Sequence, residues 1–369
     1  MPITNFGSTW NEKNKQISNE LKLSKTYANG SRSLVGAYVS YGDYSHHFTN
    51  DSKRQDDTNR LKSLNLALFT DHTLALPSSF ELSLGARYTH YVSEMNYRAG
   101  SGSESAKIGD FSASLSGDEL SPRLALSYSL LDSHKLYASA SRGFKAGGFP
   151  NFIYSAAYRR SYKPETNYTA EIGYKGLMLG DRIYVNADYF FTYSRHRQEN
   201  ILIDASTATA IIGNLGDMAS HGVEFEGKYN FANQSFFMLN LAYINAKYHN
   251  ATNALTGQSF DNREVFFLPA FNLNASLDMK LFSMLGANVF FNTLISHKSR
   301  IYFTDTYSQK PYTLWNLGLR AEIESLSIQL NVQNVLNTLY DTYGFGTAGA
   351  GYHQIAPLRN VSAVITARF

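Results

Sequence analysis

The feature that most restricts the fold of this chain is a two-residue alternation of apolar and polar side chains. From Phe271 to Lys280 every odd-numbered position is apolar and every even-numbered position is polar. Residues 123–130, 315–324 and 361–369 follow the same period with few exceptions. Because successive side chains of a β-strand point to opposite faces of a sheet, this pattern predicts strands with one apolar and one polar face.

About fifteen segments of this kind follow one another along the chain, and we find no convincing amphipathic helix between them. They are centred near residues 18, 38, 67, 87, 126, 138, 171, 188, 223, 241, 274, 290, 318, 331 and 364. The sequence therefore predicts an all-β protein built from one long succession of strands.

The connections between these segments alternate in length. The short ones are Leu74–Ser79, Leu131–His134, Leu177–Asp181, Phe231–Gln234, Leu281–Met284 and Glu324–Ser325, and the long ones are Glu94–Asp118, Lys145–Lys163, Asn250–Glu264 and Gly344–Ile355. A β-barrel of the bacterial outer membrane has this arrangement, because its periplasmic turns are short and its external loops are long. Aromatic clusters near segment ends, such as Tyr189–Tyr193, are typical of the girdles at the two lipid–water interfaces.

Composition excludes several other classes. The longest apolar run, Val265–Phe271, is far shorter than the roughly 18 to 20 residues of a membrane helix. The chain has no cysteine, so disulfides, thiolate metal sites and a cysteine nucleophile are excluded. A net charge of +3 gives no strong basic field, and we expect no nucleic-acid partner. A soluble β-sandwich or propeller remains an alternative, although no repeat of propeller length is present.

Several sequence blocks resemble the TonB-dependent receptors of the outer membrane. They are ELSPRLAL at 119–126, LYASASRGFKAGGF at 136–149, KPET at 163–166 with AEIGYK at 170–175, NLG at 214–216 with HGVEFE at 221–226, and LNVQNVLNTLY at 330–340. The pairs Glu20–Leu23 and Gly36–Tyr38 also match the pattern. Each block is weak alone, but together they follow the order of the family over nearly the whole chain.

The resemblance implies an antiparallel transmembrane β-barrel of about 22 strands that encloses an N-terminal plug domain. Residues 1–369 then form a single, incomplete domain with about 15 of those strands, and the plug, the TonB box and the signal peptide are expected to be absent. An open sheet cannot lie in lipid with unpaired edges, so we expect the chain alone to form inclusion bodies or a smaller, leaky barrel.

The resemblance also implies a function: TonB-dependent active uptake across the outer membrane, with a ferric siderophore as the expected ligand. No covalent chemistry and no cofactor are expected. The implied partners are the ligand, outer-membrane lipid and lipopolysaccharide, the barrel-assembly machinery through the terminal Phe369, and TonB through the plug alone. Alternatives are receptors for haem, cobalamin or glycans, a passive porin or adhesin barrel, and a soluble carbohydrate-binding protein or enzyme.

Receptors of this family bind their ligands through aromatic and basic side chains of external loops and the upper barrel wall. The equivalents in this chain are Phe144, Phe149, Phe152, Tyr154, Tyr158, Arg159, Arg160, Tyr162, Tyr343, Phe345 and Tyr352. Arg159 and Arg160 could bind an anionic chelate through charge-assisted hydrogen bonds. Facing solvent or lipopolysaccharide phosphate is the simpler role for both. Gly143, Gly147 and Gly148 are expected to relieve a strained backbone turn at the rim of the barrel.

Other motifs carry little weight. Gly344, Gly346 and Gly349 match G-x-G-x-x-G, but no strand–helix unit follows, so no dinucleotide site is expected. His46, His47 and His196 lack a third ligand at a suitable spacing, and no metal site is expected.

Two pairs of potentially catalytic residues are discounted for similar reasons. Ser220 and His221 are not part of an ordered nucleophile–base–acid set. Glu224 and Glu226 share one strand face and are expected to face the barrel lumen.

Overall fold

The structure is a computed structural model that describes residues 7–50, 55–153, 155–204, 209–232, 234–253, 257–347 and 350–368. These residues form nineteen β-strands and one short α-helix. In chain order they are β1 (Ser8–Thr26), β2 (Arg32–Asn50), β3 (Gln55–Ala75), β4 (Phe80–Ala99), α1 (Ser103–Ile108), β5 (Phe111–Leu131), β6 (His134–Lys145), β7 (Glu165–Met178), β8 (Ile183–Asp204), β9 (Thr209–Asn230), β10 (Phe236–His249), β11 (Phe271–Met284), β12 (Ala287–Lys298), β13 (Ile301–Tyr302), β14 (Ser308–Gln309), β15 (Tyr312–Ile323), β16 (Leu326–Gln333), β17 (Asp341–Thr347), β18 (Ala350–Ile355) and β19 (Asn360–Ala367).

Fifteen of the strands form one antiparallel sheet in which the strands lie side by side in chain order. The order is β1 to β12, then β15, β16 and β19. The predicted segments correspond to these strands one for one, so the all-β prediction is confirmed. Strands β13–β14 and β17–β18 are separate two-stranded hairpins within connections. Within the described residues, the sheet begins at β1 and ends at β19 without pairing between the two.

Short turns join the strands at one end of the sheet, which we call the short-turn end; the opposite end is the long-loop end. One predicted turn, Leu281–Met284, is wrong. Strand β11 continues through a bulge at Leu281 to Met284, and the turn is Leu285–Gly286. Both turn residues have positive φ, 53° and 78°, as a two-residue hairpin of type I′ requires.

The predicted long connections are also partly strand. Only residues 100–110 of the predicted connection Glu94–Asp118 lie between the two strands, because β4 runs to Ala99 and β5 starts at Phe111. Tyr97 and Phe111 pair across these strands and their rings stack at 5.2 Å. The serine-rich composition of 112–118 reflects a polar strand face and not a loop. Likewise, Gly344–Ile355 forms most of the β17–β18 hairpin.

The two faces of the sheet differ in polarity as the alternation predicts. Residues directly opposite each other in antiparallel strands share a face. On the apolar face Leu68 lies opposite Tyr88, and Tyr88 opposite Leu120, with all three side chains exposed. On the polar face Asn65 lies opposite Ser40 and donates a hydrogen bond of 3.1 Å to its hydroxyl.

The buried apolar residues lie mainly in two clusters at the long-loop end of the polar face. The first cluster contains Met95 and Tyr97 of β4, Ile108 of α1, and Phe149 and Ile153 of the connection 146–164. The second contains Ile201, Leu215, Met218, Ala246, Tyr248, Ala251, Phe260 and Val265. Helix α1 is brief, and among the described residues no helix has the length and apolarity to cross a bilayer.

Candidate functional site

The candidate site lies where two long connections fold over the polar face of the sheet. We call residues 146–164 the first covering loop and residues 250–270 the second covering loop, in each case for their described residues. The first packs on β2, β3 and β4, and the second packs on β8, β9 and β10.

Polar side chains of β3 bind the backbone of the first covering loop. Asn59 Nδ2 donates to the carbonyl oxygens of Asn151 at 2.9 Å and Pro150 at 3.4 Å. Gln55 Nε2 donates to the carbonyl of Ile153 at 3.4 Å. Because Phe149 is only 5% exposed in the first cluster, packing and hydrogen bonds together fix this half of the loop.

The two ends of the first covering loop meet at a pair of glycines. Gly148 and Tyr162 exchange two backbone hydrogen bonds of 3.1 and 2.8 Å. A Cβ atom at Gly147 would lie 2.7 Å from the carbonyl oxygen of Tyr162, and one at Gly148 would lie 2.6 Å from the Tyr162 hydroxyl. Both glycines are therefore needed for the close approach of the Tyr162 backbone and ring. Gly143 has open space around it.

The family-like motifs surround the root of this loop. Glu165 is 6% exposed, accepts a hydrogen bond of 2.9 Å from the Gln198 backbone and pairs with Arg197 at 3.6 Å. Asn214 exchanges hydrogen bonds of 2.7 and 3.0 Å with the backbone of Lys163. The blocks KPET and NLG thus meet, and their polar residues hold the loop in place.

A second motif pair joins β5 to β6 where their pairing stops. The ladder between these strands ends at Arg123 and Ser141, so the described residues 111–122 pair with β4 alone. Arg142 crosses this gap, with an ion pair of 2.6 Å to Glu119 and a hydrogen bond to the Leu120 carbonyl. The arginine of SRGFK and the glutamate of ELSPR therefore form a contact that links β6 to β5.

The predicted ligand residues occupy different environments. Phe144 stacks on Tyr91 at 6.1 Å, and Phe152 stacks on Trp10 at 5.3 Å and meets Phe48 edge-on at 4.4 Å. Phe149 is buried. Phe149 and Phe152 lie on the polar side of the sheet, although Phe149 is not accessible to a ligand.

The remaining predicted residues of this loop are less enclosed. The Arg159 guanidinium lies over the Phe111 ring at 5.0 Å, and Arg160 is exposed. Tyr158 ends a short 3₁₀ turn, Ala156–Tyr158, and is partly exposed. Burial raises the pKa of the Tyr162 hydroxyl above its usual value. Tyr154 lies outside the described residues.

The other predicted residues lie in the β17–β18 hairpin, over another part of the sheet. Tyr343 stacks on Phe267 at 6.0 Å with an interplanar angle of 3°, and Tyr352 is 66% exposed. The side chain of Phe345 lies outside the described residues, as does Phe369. The structure thus divides the predicted site into two groups, one in the first covering loop and one in this hairpin.

Sequence reasoning missed the aromatic group around Tyr343. Phe267 comes from the second covering loop, and Phe303 and Tyr307 come from the loop between β13 and β14. They join Tyr343 with ring centroids 5.5 to 6.2 Å apart between neighbours. Phe267 has φ of 61°, rare for a bulky side chain, and is half exposed. The run Val265–Phe271 gave the only signal, but it was interpreted solely as an apolar run.

A polar cavity of about 390 Å³ lies beneath the first covering loop. Its walls include polar side chains of β1 to β4 together with Lys145 and Tyr162: Asn14, Gln16, Ser40, Asn65, Tyr91, Lys145 and Tyr162. Hydroxyl, amide and ammonium groups of this kind suit a ligand with several hydrogen-bonding oxygens.

The motifs that the sequence analysis set aside lie on ordinary strands of the fold. Gly344 lies in a β-hairpin. His46 and His47 point to opposite faces, since His47 pairs with Asp56 on the other side of the strand from buried His46. Glu226 lies opposite Asn186 and Asn240 on the polar face, which is where the alternation placed it.

Comparison with known proteins gives a consistent result. A family model described as "TonB dependent receptor-like, beta-barrel" matches residues 2–335. The pesticin receptor of Yersinia enterocolitica is 25% identical over 305 residues, which are 80% of this chain and 42% of that receptor. The chain therefore spans less than half of that relative's length.

Solved structures show the same fold. The ferric yersiniabactin uptake receptor FyuA from Yersinia pestis has a TM-score of 0.85 at 19% identity, and covers 98% of this chain and 55% of its own. The siderophore receptor PiuA from Acinetobacter baumannii has a TM-score of 0.77 at 14% identity, over 97% and 56% of the two chains. At these identities the likeness establishes the fold and not the ligand.

Proposed function

The chain belongs to the TonB-dependent receptor-like β-barrel family, and from this premise we propose that it forms part of the wall of an outer-membrane receptor that takes up a ferric siderophore. Proteins of this family, and the neighbours described above, are receptors and transporters and not enzymes. Barrels of this family are outer-membrane proteins. We further propose that residues 1–369 act as one domain.

The observation that supports this proposal best is the arrangement of the two covering loops. Both lie on the polar face at the long-loop end, which is the external end in outer-membrane barrels. A ligand arriving from outside would meet them first. The apolar face carries exposed rings and aliphatic side chains, such as Ile172 and Leu68, that suit contact with lipid.

We propose that the accessible predicted residues contact the ligand directly. These are Arg160 and Tyr158 of the first covering loop, and Tyr343 and Tyr352 of the β17–β18 hairpin. Arg160 supplies a positive charge for an anionic chelate, and the tyrosines supply rings and hydroxyls. Phe149, Phe152 and Arg159 act indirectly, because their contacts with Tyr97, Trp10 and Phe111 fix the shape of the loop.

We also propose the remaining partners expected from the resemblance. Lipopolysaccharide would contact the charged residues beyond the apolar band, among them Arg60 and Arg98, which are exposed. The barrel-assembly machinery would recognise the C-terminal strand, and TonB would act through a plug domain.

The test is uptake of radioactive iron in cells that lack their own siderophore receptors and express this chain within its complete receptor. Ferric yersiniabactin, a ferric catecholate and ferric citrate are the first ligands to offer. Uptake of at least one of them that requires TonB would support the proposal. Failure of all three, with the receptor present in the outer membrane, would exclude ferric siderophores of these classes as ligands.

A further inference from the structure

Strand β5 has an open edge at the long-loop end of the sheet. Its pairing with β4 runs from Phe111 to Tyr128, but its pairing with β6 stops at Arg123. Within the described part of the chain, residues 111–122 therefore pair with β4 on one edge and with no strand on the other. Pro122 lies where the β5–β6 ladder ends, because proline has no N–H group to donate to a neighbouring strand. We call residues 111–122 the open edge.

The backbone groups that point away from β4 along the open edge belong to the even-numbered residues. In an antiparallel sheet the N–H and C=O groups of alternate residues point to opposite edges of a strand. The Leu120 carbonyl accepts a hydrogen bond from Arg142 of β6, so the even-numbered residues point toward the gap. From Ser112 to Asp118 the N–H and C=O groups of these residues have no hydrogen bond to the backbone of any described residue.

The corresponding edge of β10 is covered by the chain itself. Beyond Tyr243, where β11 no longer pairs with it, β10 is bound by the second covering loop. The Tyr248 N–H donates to the Arg263 carbonyl at 3.1 Å, and the Tyr248 carbonyl accepts from the Asn262 N–H at 3.0 Å. No described segment does the same for β5, so its edge is available to another molecule.

The side chains of the open edge leave its backbone accessible. Ser112, Ser114 and Ser116 are small and exposed, and residues 111–121 contain no lysine and no proline. The register of β5 on β4 has no bulge. Natural proteins usually protect an open edge with lysine, proline, a bulge or a very short strand. An edge without these features is suited to pairing with a further strand.

We propose that the open edge binds an extended segment of another protein at the cell surface, which joins the sheet as an additional antiparallel strand. In this mode of recognition, backbone hydrogen bonds supply affinity and alternate side chains supply specificity. The inference takes from the proposed function only that the long-loop end is external. It does not require a ferric siderophore, so failure of either proposal would leave the other standing.

The two faces of β5 define the chemistry of the bound segment. Ala113 and Leu115 are partly buried against the first cluster, so the side chains opposite them should be apolar. The side chains opposite the exposed serines should be polar. Asp118 accepts hydrogen bonds from Tyr88 and His90, and its carboxylate favours a basic residue at that end. The segment is thus a strand of alternating polarity with a basic residue at one end.

Hydrogen exchange of the complete receptor in detergent tests the proposal. The probe is a synthetic peptide of three threonine–valine repeats and one lysine, with blocked ends. Without peptide, the even-numbered amides from Ser112 to Asp118 should exchange fast, because no strand protects them. Saturating peptide should slow these amides at least about tenfold. Absence of peptide binding would overturn the proposal.

Two methylated peptides test whether binding uses the backbone. In an antiparallel pair, the residue opposite an inward-bonding residue also directs its N–H group to the partner strand. The threonines opposite the serines therefore donate to β5, and the valines do not. N-methylation of the threonines should weaken binding at least about tenfold, and N-methylation of the valines should leave it unchanged. Equal binding of the two peptides would overturn strand addition.

A matched pair of variants locates the binding edge on the receptor. Ser114→Pro removes an N–H group that points into the gap, whereas Ser114→Ala keeps it. The proline variant should bind the unmethylated peptide at least about ten times more weakly, and the alanine variant should bind it like the wild type. Equal binding by the two variants would overturn the assignment to β5. If the proline variant fails to fold, the methylated peptides still decide the question with the unmodified receptor.

Lipopolysaccharide is the other molecule that could cover this edge. Slow exchange of the even-numbered amides in outer-membrane vesicles without peptide, together with fast exchange in detergent, would show that it does so. That result would also overturn the proposal.

Discussion

The two covering loops are held against the same sheet by different forces. The second packs into a cluster of eight buried residues that includes the fully buried Tyr248. The Tyr248 hydroxyl donates a hydrogen bond of 3.2 Å to Glu199. None of the buried unpartnered atoms found in the described residues belongs to this cluster. The first loop has a smaller apolar cluster, and Gln55 and Asn59 of β3 donate hydrogen bonds to its backbone. The second loop is therefore held mainly by apolar packing, and the first by packing together with polar side chains of the sheet.

Truncation of Tyr248 should give the largest effect. Tyr248→Ala leaves a cavity in the second cluster and should lower the free energy of unfolding by about 3–5 kcal/mol. Urea unfolding of the complete receptor in detergent measures it, with Tyr352→Ala as the control because that ring is exposed. A loss below about 1 kcal/mol would show that this cluster does not stabilise the fold.

Loss of the charge on Glu165 should give an intermediate effect. Glu165→Gln keeps an acceptor for the Gln198 backbone but weakens the contact with Arg197, so we expect a loss of about 1–3 kcal/mol. The same unfolding experiment measures it. Faster trypsin cleavage in the first covering loop should accompany the loss; unchanged cleavage would contradict the role of Glu165 at the root of that loop.

Removal of the Asp57 charge should have a smaller effect. Asp57 accepts a hydrogen bond of 2.6 Å from Gln55, which also donates to the Ile153 carbonyl of the first covering loop. Asp57→Asn keeps an acceptor for Gln55 but removes the charge, so we expect a loss of about 0.5–1.5 kcal/mol. Thermal unfolding of the two proteins measures the difference. An unchanged or raised stability would show that these contacts do not hold the first covering loop.

The smallest effect should come from an exposed ion pair at the connection between β4 and β5. Arg98 and Asp110 lie 2.8 Å apart with most of each side chain in solvent. Arg98→Ala should therefore change the unfolding free energy by less than about 0.5 kcal/mol. A larger effect would show that surface charges, and not the buried groups, distinguish the two loops.

The strands could be predicted from the sequence because each strand has one apolar face and one polar face, as Phe271–Lys280 shows. The turn at Leu285–Gly286 could not, since a bulge at Leu281 shifts the register without changing the composition. The covering loops were predicted as loops, but their inward path depends on distant pairs such as Asn59 with Asn151. Local periodicity carries no information about such contacts.

The candidate site shows the same limit. Aromatic and basic residues of the long connections were identified from the resemblance, yet burial separates Phe149 from Arg160, and Phe267 joins Tyr343 only in three dimensions. Asn59 had no visible motif, because the carbonyl groups that it binds belong to Pro150 and Asn151 of the first covering loop.

The central claim is that a ferric siderophore binds against the first covering loop, and fluorescence of Trp10 tests it most directly. Trp10 stacks on Phe152 of that loop, and its signal is the difference between the complete receptor with Trp315→Phe and the same receptor with Trp10→Phe added. Ferric yersiniabactin, a ferric catecholate and ferric citrate should be titrated into both variants, with the iron-free ligands as controls. The account predicts saturable quenching of Trp10 by at least one ferric ligand. Binding of a ferric ligand by the receptor without any change in Trp10 fluorescence would contradict it.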